Sequence, residues 1–254
     1  MKLGIIQSRG LGDIVIALPI ADYYHKQGWE IHWPICEEFI PNFLAEFPWV
    51  NWHPVKTDAG SFFLEQPRKI LESLGCDEIM PLYQALTGES FHTECYFQHT
   101  KFDQYKYIRA GVPLQNKWQL NTMITRRPER EQAVVDLILE RISPKTQYTL
   151  IHLQGSDHRA EFDHSMLNPD WPAVEITELT DSCWDWCQAL DRAECVILSD
   201  SVFSNIVDQM ALNTDDGRYF IPRSHIGLTP VLGQHWNWIP NLALDPRHKT
   251  ITVK

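Results

Sequence analysis

Short apolar runs alternate with amphipathic stretches along most of the chain, the signature of strands and helices laid around parallel sheets. In the first half, apolar runs at residues 3–7, 30–36, 51–55 and 78–82 predict strands, and the stretches between them predict helices over 13–26, 38–46 and 62–74. Gly28 and Gly75 stand just past two of these helices, where a left-handed cap favours glycine. The second half repeats the grammar. A charged amphipathic helix over 128–142 is followed by strands at 148–153 and 174–177, a helix over 183–193, a strand at 195–199, a helix over 202–212 and a strand at 218–221. Two such series in tandem predict an α/β protein with two Rossmann-like lobes, residues 1–117 and 118–254, facing each other across a cleft.

Between the two series, over residues 87–117, the periodicity weakens. Phe91, His92, Tyr96, Phe97, His99, Phe102, Tyr105 and Tyr107 crowd together there. The segment reads either as a helical closing layer or as a loop region facing a ligand.

Composition narrows the class. Hydrophobic residues make up 44% of the 254 positions and charged residues 22%, so a folded globular chain is expected. The formal net charge of −11 disfavours non-specific attraction to phosphate backbones. The apolar stretch 14–21 is too short to span a bilayer and no secretory leader is read, so no transmembrane segment and a cytoplasmic location are expected. The six cysteines, Cys36, Cys76, Cys95, Cys183, Cys187 and Cys195, lack zinc-ribbon or disulfide-framework spacing and read as small core residues. Cys183 and Cys187 are four apart on an expected helix without a nearby His pair, and no metal site is expected.

Candidate chemistry gathers at the carboxyl ends of the expected strands, where open α/β sheets bind ligands. The first strand runs into Ser8, Arg9, Gly10, Leu11, Gly12 and Asp13, a glycine turn that opens a helix and carries one carboxylate. Gly10 and Gly12 can take positive φ and let a ligand approach the backbone. Asp13 either caps the helix or serves as a base. In the second half, the strand at 195–199 ends in Asp200 and Ser201. Ser201, Ser204, Asn205 and the N–H groups of that first helical turn form an expected anion site, unless Asp200 or Ser201 is only a cap. The loop holding Gln154, Gly155, Ser156, His158 and Arg159 supplies a glycine, a hydroxyl and a cation after a buried strand. Glu175 or Glu178 stands at the end of the next strand, either in solvent or holding a ribose by its hydroxyls.

Taken together, the run from Ser8 to Pro19 and the run from Cys195 to Ser201 resemble the lipopolysaccharide heptosyltransferase family, glycosyltransferase family 9. The resemblance implies the GT-B fold, with the acceptor held mainly by the first lobe and a nucleoside diphosphate-sugar donor mainly by the second. It implies Asp13 as general base, Arg9, Gly10, Leu11 and Gly12 on the acceptor side, and Asp200 and Ser201 near the donor diphosphate. His158 and Arg159 would offset leaving-group charge. The chain departs from the family pattern at Val202, where the family has Gly, and at Asn205, where it has His.

These readings lead to a glycosyltransferase that moves a sugar to a hydroxyl acceptor without a metal or other cofactor, inverting the anomeric centre if the transfer is one displacement. Its partners would be a nucleotide sugar and a saccharide or other hydroxyl acceptor. One alternative keeps the chemistry and takes a hydroxymethylated base in DNA as acceptor, because Lys101, Lys106, Arg109 and Lys117 interleave with Tyr105 and Tyr107. Another is a catalytically silent binding or scaffold protein of the same fold, which the departures at Val202 and Asn205 would suit.

Overall fold

The computed structural model describes residues 1–57, 61–83, 100–155, 159–177, 179–213, 216–223, 230–233 and 235–244. The chain forms two compact units, Met1–Arg127 with Thr180–Trp184, and Pro128–Leu179 with Asp185–Lys254. Each is built on its own parallel sheet.

In the first unit, β1 (Lys2–Ile6), β2 (Glu30–Cys36), β3 (Val50–Val55) and β4 (Glu78–Pro81) lie in the order β3-β2-β1-β4. Helix α1 (Leu11–His25) joins β1 to β2, and α2 (Glu65–Ser73) precedes β4. Gly4 of β1 is small because α2 lies against it; a Cβ there would come within 2.7 Å of Leu71 Cδ1. Residues Ile14 to Asp22 of α1 are all buried, which accounts for an apolar stretch with no polar side. What covers the far side of α1 is helix α3 (Phe102–Arg109) with the 3₁₀ segment Leu114–Thr122. Tyr107 Oη donates to Ile16 O at 3.0 Å and Tyr24 Oη to Ala110 O at 2.7 Å. The described part of the aromatic segment is therefore the closing layer; Phe91, His92, Tyr96, Phe97 and His99 lie outside the described residues.

The helix expected over 38–46 is instead a 3₁₀ helix, Glu37–Asn42, because Pro41 removes a backbone donor in its middle. The residues that follow it make an aromatic nest. Trp184 packs edge-on to Phe47 at 5.3 Å, and its indole N–H donates to Asn42 O at 2.5 Å. Cys183 N–H donates to Asn42 Oδ1 at 2.9 Å, and Ser182 Oγ donates to Glu46 Oε1 at 3.3 Å. Thr180–Trp184 is thus folded into the first unit although the chain on both sides of it belongs to the second.

In the second unit, β5 (Thr149–His152), β6 (Ala173–Glu175), β7 (Cys195–Ser199), β8 (Arg218–Ile221) and β9 (Asn237–Trp238) lie in the order β6-β5-β7-β8-β9. Helices α4 (Pro128–Ile142), α5 (Cys187–Arg192) and α6 (Val202–Met210) belong to it. Between β5 and β6 the only helical turn among the described residues is the 3₁₀ segment His164–Met166. Phe162, Leu167 and Trp171 pack there on Ile151, Cys195 and Ile197.

Trp184 is 2% exposed, so Trp184→Ala removes a large buried ring and leaves Asn42 O without its donor. It should lower unfolding free energy by about 3–5 kcal/mol in a urea titration. A loss within the range of surface substitutions would show that the nest does not hold this segment.

Candidate functional site

The first candidate group stands at the carboxyl end of β1. Gly10 precedes α1 at φ +82°, a left-handed conformation that favours glycine. Gly12, expected to share that role, lies within the first helical turn, where no positive φ is needed. Asp13 is the third residue of α1. Among the described residues no helical N–H is capped by it; its Oδ1 stands 3.2 Å from Lys106 Nζ of α3 instead. A Cβ at Gly10 would sit 2.5 Å from Asp13 Oδ2, so the glycine also clears the space this oxygen occupies. The Asp13 side chain is 37% exposed and that of Lys106 only 5%.

Around this pair the turn is closely tied. Lys106 Nζ donates to Gln7 Oε1 at 2.6 Å, and Gln7 Nε2 donates to Arg9 O at 2.8 Å. Arg9 N–H donates to Tyr83 Oη at 2.8 Å, and Ser8 Oγ donates to Phe62 O at 2.5 Å. Burial, the largest effect, pushes the Tyr83 phenol up to about 12, against hydrogen bonds from Ser8 and Arg9 that pull it down. It therefore remains a neutral hydroxyl. The exposed Arg9 guanidinium lies 5.2 Å from the Phe62 ring centroid. Leu11 and Gly12 are partly exposed beside it.

The interleaved cations and aromatics do not form an exposed track. Lys106 and Lys117 are buried, Lys117 paired with Asp103 at 2.8 Å with both side chains fully enclosed. Tyr105 and Tyr107 are buried as well. Of the four cations Arg109 is exposed and Lys101 half-buried, so the described residues do not set a row of exposed cations between exposed rings.

The second candidate group stands at the carboxyl ends of β5 and β7. Ser201 is the N-cap of α6, and it forms a capping box with Ser204: Ser201 Oγ accepts from the Ser204 N–H, and Ser204 Oγ accepts from the Ser201 N–H at 3.1 Å. Ser201 thus stands at the N-cap position with Ser204 as its box partner. Asp200 precedes it, half-buried. The box uses two of the orphan donors and leaves the N–H groups of Val202 and Phe203 at the helix tip. Asn205 Nδ2 donates to Ser201 O at 2.9 Å, while its buried Oδ1 has no partner among the described residues.

His152, the last residue of β5, was not singled out from the sequence. Its Nδ1 lies 3.1 Å from Ser201 Oγ, and its ring meets Phe203 edge-on at 4.7 Å. Burial, the largest effect, drives the imidazole down to about 4, outweighing the opposite pull of Glu175. A neutral ring shares one hydrogen bond with the Ser201 hydroxyl at Nδ1, and which atom donates depends on the tautomer. The one sequence signal was a histidine ending an otherwise apolar strand, just before a glycine loop.

That loop closes on itself. Gln154 and Arg159 form an antiparallel bridge, with Gln154 Nε2 donating to Gly155 O at 2.8 Å. Arg159 pairs with Glu175 at 2.6 Å, both about half exposed. Ser156, His158 and Glu178 lie outside the described residues. A cavity of about 220 Å³, lined by Trp171, Met166, Cys195 and Tyr219, opens at the amino ends of β5, β7 and β8, away from Ser201.

Of the cysteines, Cys36, Cys183, Cys187 and Cys195 are buried thiols and Cys76 is half-buried; Cys95 lies outside the described residues. Burial raises Cys36 and Cys195 to about 11. They are packing groups rather than nucleophiles. Among the described residues no helix is long and apolar enough to cross a membrane.

No protein-family model and no curated protein matches the chain. Solved structures do. The structure of the glycosyl transferase family 9 from Veillonella parvula DSM 2008 aligns over 94% of this chain and 86% of its own, with a TM-score of 0.59 and 11% identity. The bacterial iron-containing dodecameric glycosyltransferase TibC from enterotoxigenic E. coli H10407 aligns over 93% of this chain and 63% of its own, with a TM-score of 0.52 and 10% identity. E. coli heptosyltransferase WaaC with ADP-2-deoxy-2-fluoro heptose aligns over 94% and 92%, with a TM-score of 0.49 and 10% identity. The first of these likenesses spans both units and shows that the chain has the GT-B type of fold that its two tandem series and its two turns together led us to expect.

The neutral His152 gives a test by pH. An unfolded chain takes up this proton near 6.5, the folded one only near 4, so the unfolded state binds more protons across that window and stability falls as pH drops through it. Unfolding followed from pH 7 to 4 should show this fall, and His152→Asn should flatten it. An unchanged slope in the variant would assign the acid sensitivity elsewhere.

Proposed function

We propose that the chain is a glycosyltransferase that moves a sugar from a nucleoside diphosphate-sugar to a hydroxyl acceptor, the first unit holding the acceptor and the second the donor. The observation that carries this reading is the Asp13 carboxylate: it does not cap α1, it is pinned at Oδ1 by Lys106, and it remains partly exposed at the carboxyl end of β1. A carboxylate so placed accepts the acceptor's proton as the hydroxyl oxygen attacks the anomeric carbon. The bond from that carbon to the diphosphate oxygen breaks, and the diphosphate leaves with the electron pair. In a single displacement the anomeric centre inverts.

The departing charge needs donors already in place. Support for the second unit as donor side comes from the tip of α6, where the Val202 and Phe203 N–H groups are spared by the capping box, and from His152, whose ring stands against the Ser201 hydroxyl at the same turn. Arg159 stands on the neighbouring loop and would exchange Glu175 for phosphate, with Gln154 and Gly155 beside it. Glu175 is then released to a ribose hydroxyl. These groups supply countercharge from the protein itself, so the reaction is proposed to need no metal.

Incubation with ADP-, UDP-, GDP- and CDP-sugars should show nucleoside diphosphate release with at least one of them. Asp13→Ala should lower turnover by about 10²- to 10⁴-fold while donor binding, measured by calorimetry, is kept. Loss of donor binding instead would remove Asp13 from the role of base, and failure to bind any donor would favour a silent binding protein. Gly10→Ala should cost turnover comparably, since its methyl group would strike Asp13 Oδ2 and strain a left-handed residue. Wild-type rates in that variant would mean that the turn does not position the carboxylate.

A further inference from the structure

The buried ammonium of Lys106 touches none of the reacting groups except through Asp13, and polar groups from several elements surround it. It comes from α3, far along the chain from Asp13, and its side chain is 5% exposed. From behind, it donates to Gln7 Oε1 at 2.6 Å and to Leu82 O at 3.5 Å, the residues that directly follow β1 and β4. Gln7 is itself fixed, by its bond to Arg9 O and by Trp33 Nε1, which donates to Gln7 O at 3.2 Å. The Tyr83 ring centroid lies 5.9 Å from the ammonium. An apolar side chain of the same length would fill this space without the desolvation cost that a buried cation carries. What the cation adds is a fixed charge against one oxygen of Asp13.

We infer that Lys106 is the positioning residue for Asp13: it holds Oδ1, so that Oδ2, lying over the bare Cα of Gly10, is the oxygen presented to the acceptor hydroxyl. This rests on the reading of Asp13 as base. Two constraints then fix the carboxylate plane, a charge on one oxygen and a steric clearance for the other. A carboxylate without the first swings about its side-chain bonds, and a base displaced by an ångström loses much of its effect.

The test is a double-mutant cycle on turnover, using whichever donor of the four-sugar panel the wild type consumes. Lys106→Gln should lower kcat by about 10- to 100-fold and leave the donor KM within about twofold. In the Asp13→Ala background the same substitution should cause no further loss, because a residue that acts through Asp13 has nothing left to position. A loss that multiplies undiminished in that background would make Lys106 a structural brace and overturn the inference. Lys106→Met is the second variant, judged beside thermal unfolding; if neither variant folds, the cation is structural and the inference falls. If Asp13→Ala loses turnover while both folded Lys106 variants keep the wild-type rate, the inference fails and the base reading stands. If Asp13→Ala keeps wild-type turnover, or the wild type consumes no donor, the base reading fails first and takes the inference with it.

Discussion

A helix that buries nine consecutive residues has no face left to turn toward water, and this constraint on α1 orders the first unit. The sheet takes one side of it and α3 with the following 3₁₀ segment takes the other. Loss of either covering layer would expose Ile or Val side chains, at roughly 1.5–3 kcal/mol each. The azimuth of the helix is therefore set by the shape of its packing and by the Tyr107 hydroxyl that donates to Ile16 O. Asp13, at the edge where burial begins, inherits a fixed direction from the residues that follow it. Pro19 inside the helix is tolerated in the same environment, where tertiary packing rather than a complete ladder holds the backbone.

The closing layer must then carry polar groups inward, since α3 meets both the apolar helix and the polar turn. It does so with Asp103 and Lys106 on one face. Asp103 takes Lys117, and Lys106 takes Asp13 and Gln7. The enclosed Asp103–Lys117 pair adds little stability over apolar residues of equal size, but removing one partner leaves a stranded charge and costs about 3–5 kcal/mol. The usefulness of both pairs lies in direction. Each charge admits one arrangement of its neighbours, so the layer is keyed to the turn at the end of β1 instead of merely resting on it.

Much of the fold was legible in the sequence because its signals are local. The strands Glu30–Cys36, Cys195–Ser199 and Arg218–Ile221 and the helix Pro128–Ile142 fall where periodicity puts them. The two-residue strand β9 was not foreseen, because its ladder depends on β8 rather than on any pattern of its own. Asp13 and Ser201 could be found because a glycine turn or a strand end announces them. Lys106 could not, since its meaning comes from packing across a long stretch of chain; read locally, it belonged to a run of surface cations. His152 was hidden in a similar way. Its partner Ser201 lies two strands' worth of chain away, and only the pairing of β5 with β7 brings them to one edge.

The same pairing bears on the two departures from the family pattern. Where the resemblance gives His, this chain has Asn205, which turns back to bind Ser201 O and so reinforces the capping turn from inside the helix. Where it gives Gly, Val202 occupies the first helical position, and its N–H remains at the tip because the capping box draws on Ser201 and Ser204 instead. An imidazole reaches this turn from β5: His152 bonds the Ser201 side chain. Burial keeps that ring neutral. The polar groups of the turn after β7 thus converge on one serine.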